Sequence, residues 1–104
     1  MQFFLGVAMS GEDFSQRLER AFVELIAERA EREGYKKGEF AAKVWPEMSA
    51  KAAATRWNSV RIKASHTGKP QSVAIADAQR MASVLGTELS YLLVVATENA
   101  KKQK

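Results

Sequence analysis

The 104-residue chain has no cysteine, two prolines, one histidine and no long apolar run. Without cysteine, disulfides, thiolate nucleophiles and cysteine-based zinc sites are excluded, and a reducing compartment is permitted, so we expect a cytoplasmic protein. Few glycines and prolines, together with 46% hydrophobic and 27% charged residues, indicate one folded globular domain. The apolar segment 1–9 lacks a basic leader and is shorter than the roughly 20 residues of a membrane span, so we expect neither a signal peptide nor an anchor.

Residues of the kinds that carry catalysis or bind metals are sparse and poorly spaced. His66 is the one histidine in the sequence, and a transition-metal site around it would otherwise consist of carboxylates, which is an uncommon set. Ser65, His66 and Asp77 include the residue types of a hydrolytic triad, but no nucleophile-elbow motif surrounds them. The segment 68–70 lacks the glycine spacing and the hydroxyl residue of a phosphate-binding loop. We therefore expect no enzyme activity, no metal and no cofactor.

Positive charge is concentrated in the middle third of the chain. The net charge is only +4, but residues 34–70 carry eight basic and two acidic side chains. Residues 1–33 carry four and seven, and residues 71–104 carry four and three. A solvated surface accounts for any single lysine, whereas eight basic residues in one segment indicate a surface that attracts a polyanion.

Apolar residues recur at three- and four-residue spacing along most of the chain, which predicts an all-α domain. The first helix is predicted to begin after an N-cap at Ser10 and to end at Gly34, since glycine readily adopts the left-handed conformation of a helix C-terminus. A short second helix over 37–44 is predicted to end at Trp45-Pro46, because proline disfavours helical geometry in the residue before it. A third helix is predicted over 49–62, with a serine as its N-cap.

Two further helices are predicted after a loop of small and polar residues. The fourth is expected to begin between 72 and 77 and to end at Gly86. Its predicted inner face consists of Ile75, Ala78, Met81, Ala82 and Leu85. The fifth has an apolar face from Leu89 to Ala96 and is predicted to fray after it. We expect three segments, which are an apolar N-terminal arm (1–9), one domain (10–97) and a polar C-terminal tail (98–104).

Four segments of the chain carry motifs, which are GYKKGEFAAKV at 34–44, RWN at 56–58, MASVLG at 81–86 and LSYLL at 89–93. In this order they resemble the G-L-S-Q-E-E-L-A-x-K-V, R-I/W-E-N, L-A-x-A-L-G and L-D-Y-L-L motifs of phage-repressor and Cro-like (XRE-type) helix-turn-helix proteins. The resemblance covers about residues 14–95 and implies a five-helix, lambda-repressor-like domain that contains a DNA-binding helix-turn-helix. It also places Ala41 where the family packs a small residue between the two helices.

The chain departs from this family around the turn between the second and third helices. Trp45 stands where the family usually has glycine, and the turn before Ser49 is longer. Ala54 stands where the family usually has a larger aliphatic residue, so we expect a neighbouring tryptophan, Trp45 or Trp57, to fill the space.

The resemblance implies that the third helix enters the major groove of double-stranded DNA. Its reading positions correspond to Lys51, Ala52, Ala53 and Arg56, with Thr55 close by. Lysine or arginine can bond guanine O6 and N7, and the methyl group of Ala52 can touch a thymine methyl. Because several of these side chains are methyl groups, we expect Lys51 and Arg56 to carry most of the base discrimination, and sequence specificity to be modest.

Basic and polar residues on either side of this helix are expected to hold DNA phosphates. Lys36 and Lys37 open the second helix, whose N-terminus adds backbone N–H groups to such a contact. The remaining expected contacts lie near the end of the third helix and in the loop after it: Asn58, Ser59, Arg61, Lys63 and Lys69.

These expectations describe a sequence-specific transcriptional regulator of repressor type. We expect a homodimer on two half-sites, joined through the arm at 3–5 or through residues 92–95, although Leu92 and Leu93 equally suit the monomer core. Two alternatives stay open. One is the antitoxin of a toxin–antitoxin pair, with a toxin as protein partner, and the other is a protein-interaction module that kept the fold without binding DNA.

Overall fold

The computed structural model describes residues 13–62 and 69–102, and within these ranges the chain is helical without strands. The helices are α1 (Phe14–Arg32), α2 (Lys37–Val44), α3 (Ala50–Arg61), α4 (Ile75–Val84) and α5 (Leu89–Lys102). The predicted all-α class is confirmed for this part of the chain. The expected N-terminal arm lies outside the described residues. The same holds for several single residues named above: Ser10, Lys63, Ser65, His66 and Gly68.

The start of α1 differs from the prediction, and its end agrees with it. The Oδ1 of Asp13 accepts from the backbone N–H of Gln16 (3.0 Å), and the Gln16 side chain accepts from the N–H of Asp13 (3.1 Å). This reciprocal pair satisfies N–H groups that a helix start leaves free, so α1 begins at Phe14 with Asp13 as its N-cap, whereas the prediction placed this cap three residues earlier. Beyond the other end of α1, Gly34 has a φ of 89°, as the predicted stop requires.

The short helix α2 has the predicted bounds, and α3 begins and ends one residue inside the predicted segment 49–62. Ser49 caps α3, because its Oγ accepts from the backbone N–H of Ala52 at 3.1 Å. Between the helices, the N–H of Trp45 donates to the carbonyl of Ala41 (3.0 Å), and the N–H of Met48 donates to the carbonyl of Trp45 (3.1 Å). These bonds define a turn over residues 45–49.

The core lies where α1 packs along α5 and where α2 packs against α3, with α4 in contact with α2 and α5. Ala41 is fully buried, as expected of the small residue between two helices. Both tryptophans proposed as fillers, Trp45 and Trp57, are buried. The ring of Trp57 packs on that of Phe40 with 5.3 Å between centroids, which joins α3 to α2 through aromatic contact.

Two predictions for α4 and α5 are wrong. Ile75 was expected on the inner face but is 77% exposed, because it is the first residue of α4 and the buried residues of that helix begin at Asp77. The last helix was expected to fray from Glu98, yet α5 continues to Lys102. Leu92, Ala96 and Ala100 are all fully buried, so one stripe of four-residue spacing extends the packed face into the predicted tail.

No single helix in the described ranges is long and apolar enough to cross a membrane. Among the described helices, α4 and α5 reach that length and composition when taken together, as a pair bent by 104°.

Candidate nucleic-acid interface

The predicted reading residues lie together on one exposed face of α3. Lys51, Ala52, Thr55 and Arg56 are all exposed, and spacings of three and four residues between the first two and the last two bring them to one side of the helix. They line a single shallow depression, which also includes Met48, Ser49 and Gln71. We call the four side chains the reading face.

Ala53, which the family resemblance also places among the reading positions, is fully buried. It lies on the opposite side of α3 with Trp57 and Val60, so it has no surface for a base contact and that assignment is wrong. The buried side is also held at its far end, where Nη1 of Arg20 in α1 donates to the carbonyl of Val60 at 3.0 Å. The orientation of α3 is therefore fixed by its core face, its Ser49 cap and this bond from α1.

Arg56 lies at the edge of the reading face and contacts two residues of neighbouring elements. Its Nη2 donates to Oδ2 of Asp77 at 2.7 Å, and its guanidinium carbon lies 5.1 Å from the centroid of the Trp45 ring. The side chain is still 42% exposed. Because a guanidinium carries five N–H donors, the bond to Asp77 does not use up its capacity to bind a ligand.

Asp77 is the one buried polar or charged residue in the described part of the chain. Besides the bond from Arg56, its Oδ1 accepts from Nε1 of Trp45 and from Nη1 of Arg80, both at 3.0 Å. Burial raises the pKa of the Asp77 carboxyl, but the hydrogen bonds from Arg56, Trp45 and Arg80 outweigh burial and hold that pKa below its ordinary value. The carboxylate is therefore ionised at neutral pH, and it connects the turn after α2, the helix α3 and the helix α4.

Neither Asp77 nor Arg80 is among the residues that the sequence predicts for this site. A signal was nevertheless present. Asp77 directly precedes Ala78 on the inner side of α4, and a charged residue at the edge of a core stripe needs a partner of opposite charge.

Two of the predicted phosphate contacts, Lys36 and Arg61, lie together but away from the reading face. They line another depression, between α1, α2 and α3, with Tyr35 and Trp57. Arg61 is half-buried, and its guanidinium carbon lies 5.9 Å from the ring centroid of Trp57. Lys36 is exposed directly before α2. The structure therefore places these two cations on a second surface, beside the start of α2.

The other predicted phosphate contacts are distributed around α3. Asn58 is exposed, and Ser59 is half-buried with its Oγ donating to the carbonyl of Thr55 at 3.1 Å. Lys69 is exposed where the described chain resumes before α4. Lys37 is the first residue of α2, but its side chain lies outside what the structure describes, as does Lys63 altogether. The phosphate assignments stay predictions.

Comparison of the chain with protein-family models, with curated proteins and with solved structures finds no match. The resemblance to phage-repressor-like proteins therefore stays a prediction, and function has to be inferred from the residues and their geometry.

Proposed function

We propose that the protein is a sequence-specific, double-stranded DNA-binding regulator of repressor type. In this proposal α2, the turn over 45–49 and α3 form a helix-turn-helix of a lambda-repressor-like domain, and α3 enters the major groove. The observation that carries the proposal is the exposed reading face on a helix whose other side is buried and anchored. It lies in the segment 34–70, where basic residues outnumber acidic ones by eight to two.

The chemistry of the reading face matches what base edges offer. Lys51 and Arg56 supply donors for guanine O6 and N7, the Thr55 hydroxyl can donate or accept, and Ala52 supplies a methyl group for thymine. Small side chains between the two cations allow the helix backbone to approach the bases closely. We propose that Lys51 and Arg56 give most of the discrimination, and that Lys36, Arg61 and the other predicted cations hold phosphates.

A homodimer would extend the limited specificity of one short helix to two half-sites. Leu92 is fully buried and belongs to the monomer core, whereas Leu93 is 38% and Val94 61% exposed. Exposed apolar residues on one helix favour a contact with a second copy. We therefore propose that α5 carries the dimer contact through Leu93 and Val94, with half-sites about one DNA turn apart.

The proposal is tested by enrichment of preferred sequences from a random duplex pool, followed by binding measurements at several salt concentrations. We expect an enriched site with two related half-sites, and an affinity that falls steeply with salt because bound phosphates release counterions. Lys101→Ala removes one charge on the exposed last turn of α5 without touching the reading face. It therefore serves as the control for variants that remove a charge from the reading face. Absence of any DNA binding at low salt would contradict the proposal and favour the protein-interaction module.

A further inference from the structure

We propose that Asp77 is a positioning residue for DNA readout, which holds Arg56 in the orientation that contacts a base edge. The inference rests on the proposed function, in which Arg56 belongs to the reading face. It adds to that function a part of the molecule outside the helix-turn-helix, since Asp77 lies in α4.

The geometry holds the arginine from two directions. The 2.7 Å bond to Oδ2 of Asp77 fixes one nitrogen of the guanidinium, and the guanidinium carbon lies over the Trp45 ring, 5.1 Å from its centroid. A charge-assisted bond defines the direction of the guanidinium, and the cation–π contact attracts it to the ring. Together they restrict the side chain while leaving 42% of it exposed.

The two oxygens of the Asp77 carboxylate have different partners. Oδ1 accepts the bonds from Trp45 and Arg80, which anchor the carboxylate itself, and Oδ2 accepts the bond from Arg56. Since the aspartate side chain is only 7% exposed, solvent screens this attraction less than it would a surface ion pair. The attraction between the two side chains is therefore stronger than that of a fully exposed ion pair.

Prior restraint of Arg56 affects recognition because an arginine side chain loses rotamer freedom when a base contact fixes it. A side chain already restrained in the free protein loses less, so more of its bonding free energy appears as discrimination. Two arginines at one carboxylate also leave the cluster with a net positive charge, which suits a surface that approaches DNA.

The experiment compares D77N, R56A and the double variant with the wild-type protein by enrichment from a random duplex pool. R56A identifies the base pair that Arg56 reads, because preference is relaxed there. We expect D77N to reduce discrimination at that same base pair by about tenfold, comparable to loss of a good arginine contact, and to leave the other positions unchanged. In the R56A background, D77N should add nothing at that base pair. A merely structural role would instead lower discrimination at every position.

Folding of each variant is checked by circular dichroism and thermal unfolding. If D77N does not fold, W45F takes its place, since it keeps a ring beneath Arg56 but removes one anchor of the carboxylate, and a smaller loss at the same base pair is expected. Unchanged discrimination in D77N, or equal losses at all positions, would overturn the inference and leave the proposed function intact. If R56A relaxes no base pair, the inference and the reading role of Arg56 are both overturned, while DNA binding by the protein stands. Failure of the wild-type protein to bind DNA would overturn both.

Discussion

The indole Nε1 of Trp45 donates a hydrogen bond of 3.0 Å to Oδ1 of Asp77. This bond links α4 to the turn between α2 and α3. Trp45 stands at the position where the family that the sequence resembles usually has glycine. A glycine allows a tight backbone turn, whereas here a buried indole ring stabilises a longer one. The turn therefore depends on a contact with another helix.

Trp45→Phe keeps most of the ring but removes the N–H donor, so one bond to a buried carboxylate is lost. Hydrogen bonds to charged groups contribute about 1.5–3 kcal/mol, and we expect a loss of stability in this range. Urea unfolding measures it. The matched control is Trp57→Phe, which makes the same change in a ring packed on Phe40. A loss for Trp45→Phe equal to or smaller than that of the control would contradict the importance of this bond.

The ionised state of Asp77 predicts how stability depends on pH. The pKa of its carboxyl is below the ordinary value in the folded protein, so the unfolded chain takes up the proton first as pH falls. The contribution of Asp77 is therefore fully present above the ordinary aspartate range and is lost as pH falls through the lower, folded pKa. The stability advantage of the wild-type protein over Asp77→Asn should be constant between about pH 7 and 5 and should shrink towards pH 2.

This pH prediction is measured by urea unfolding of both proteins across that range. Constancy between neutral and mildly acidic pH serves as the internal control, because Asp77 is ionised there in both states. An advantage that stays the same down to the lowest pH at which both proteins fold would contradict the assigned direction of the pKa shift.

Local signals were sufficient to predict α2 and α3. The proline after Trp45 and the serine cap at Ser49 act within a few residues, so the bounds of both helices follow from the sequence. The exposed positions of Lys51 and Arg56 also follow, since helical periodicity separates them from the buried Trp57. The error at the end of α5 has a similarly simple cause. Alanines are small, and the sequence alone did not identify them as the continuation of a buried stripe.

The Asp77 cluster could not be predicted in the same way. Asp77 is 21 residues from Arg56 and 32 from Trp45 along the chain, and three separate elements supply the partners. Nothing in local spacing indicates that these elements meet at one carboxylate. Local spacing pairs Asp77 only with Arg80, three residues further along α4. Packing of α4 against α2 brings Trp45 and Arg56 to the same carboxylate, and the spacing of residues along the sequence does not indicate that.

Gly34 and Gly38 provide a matched pair for testing the end of α1. Gly34 has a φ of 89° and open space around it, so Gly34→Ala is opposed by backbone conformation rather than by a clash. We expect a loss of about 1 kcal/mol on thermal or urea unfolding. Gly38 lies inside α2, also with open space, and Gly38→Ala should be neutral or stabilise by up to about 1 kcal/mol. Equal effects of the two substitutions would show that the left-handed position does not matter.

Lys51 and Lys36 should differ in their contributions to DNA binding, because one lies on the reading face and the other beside the start of α2. We expect Lys51→Ala to cost about 1–3 kcal/mol on the preferred site and to relax preference at one base pair. Lys36→Ala should weaken binding to all sequences similarly and reduce the salt slope by about one. Titration of preferred and random duplexes separates the two effects. Equal losses of both variants on random DNA would refute the division between reading and phosphate residues.

Val94 tests the proposed dimer contact separately from DNA recognition. Val94→Asp places a charge on the exposed apolar part of α5, where a second copy would have to bury it without a partner. Since Val94 is 61% exposed in the single chain, the monomer should keep its stability within about 0.5 kcal/mol.

Sedimentation of Val94→Asp should show a shift to monomer. Its preference for a duplex with two half-sites over one with a single half-site should disappear, while its affinity for the single half-site is retained. Asn99→Asp introduces the same charge on another side of the same helix, away from Leu93 and Val94, and should leave both readouts unchanged. If Val94→Asp leaves the oligomeric state unchanged, the contact lies elsewhere on the molecule, because a buried aspartate at the interface could not be accommodated without loss of affinity.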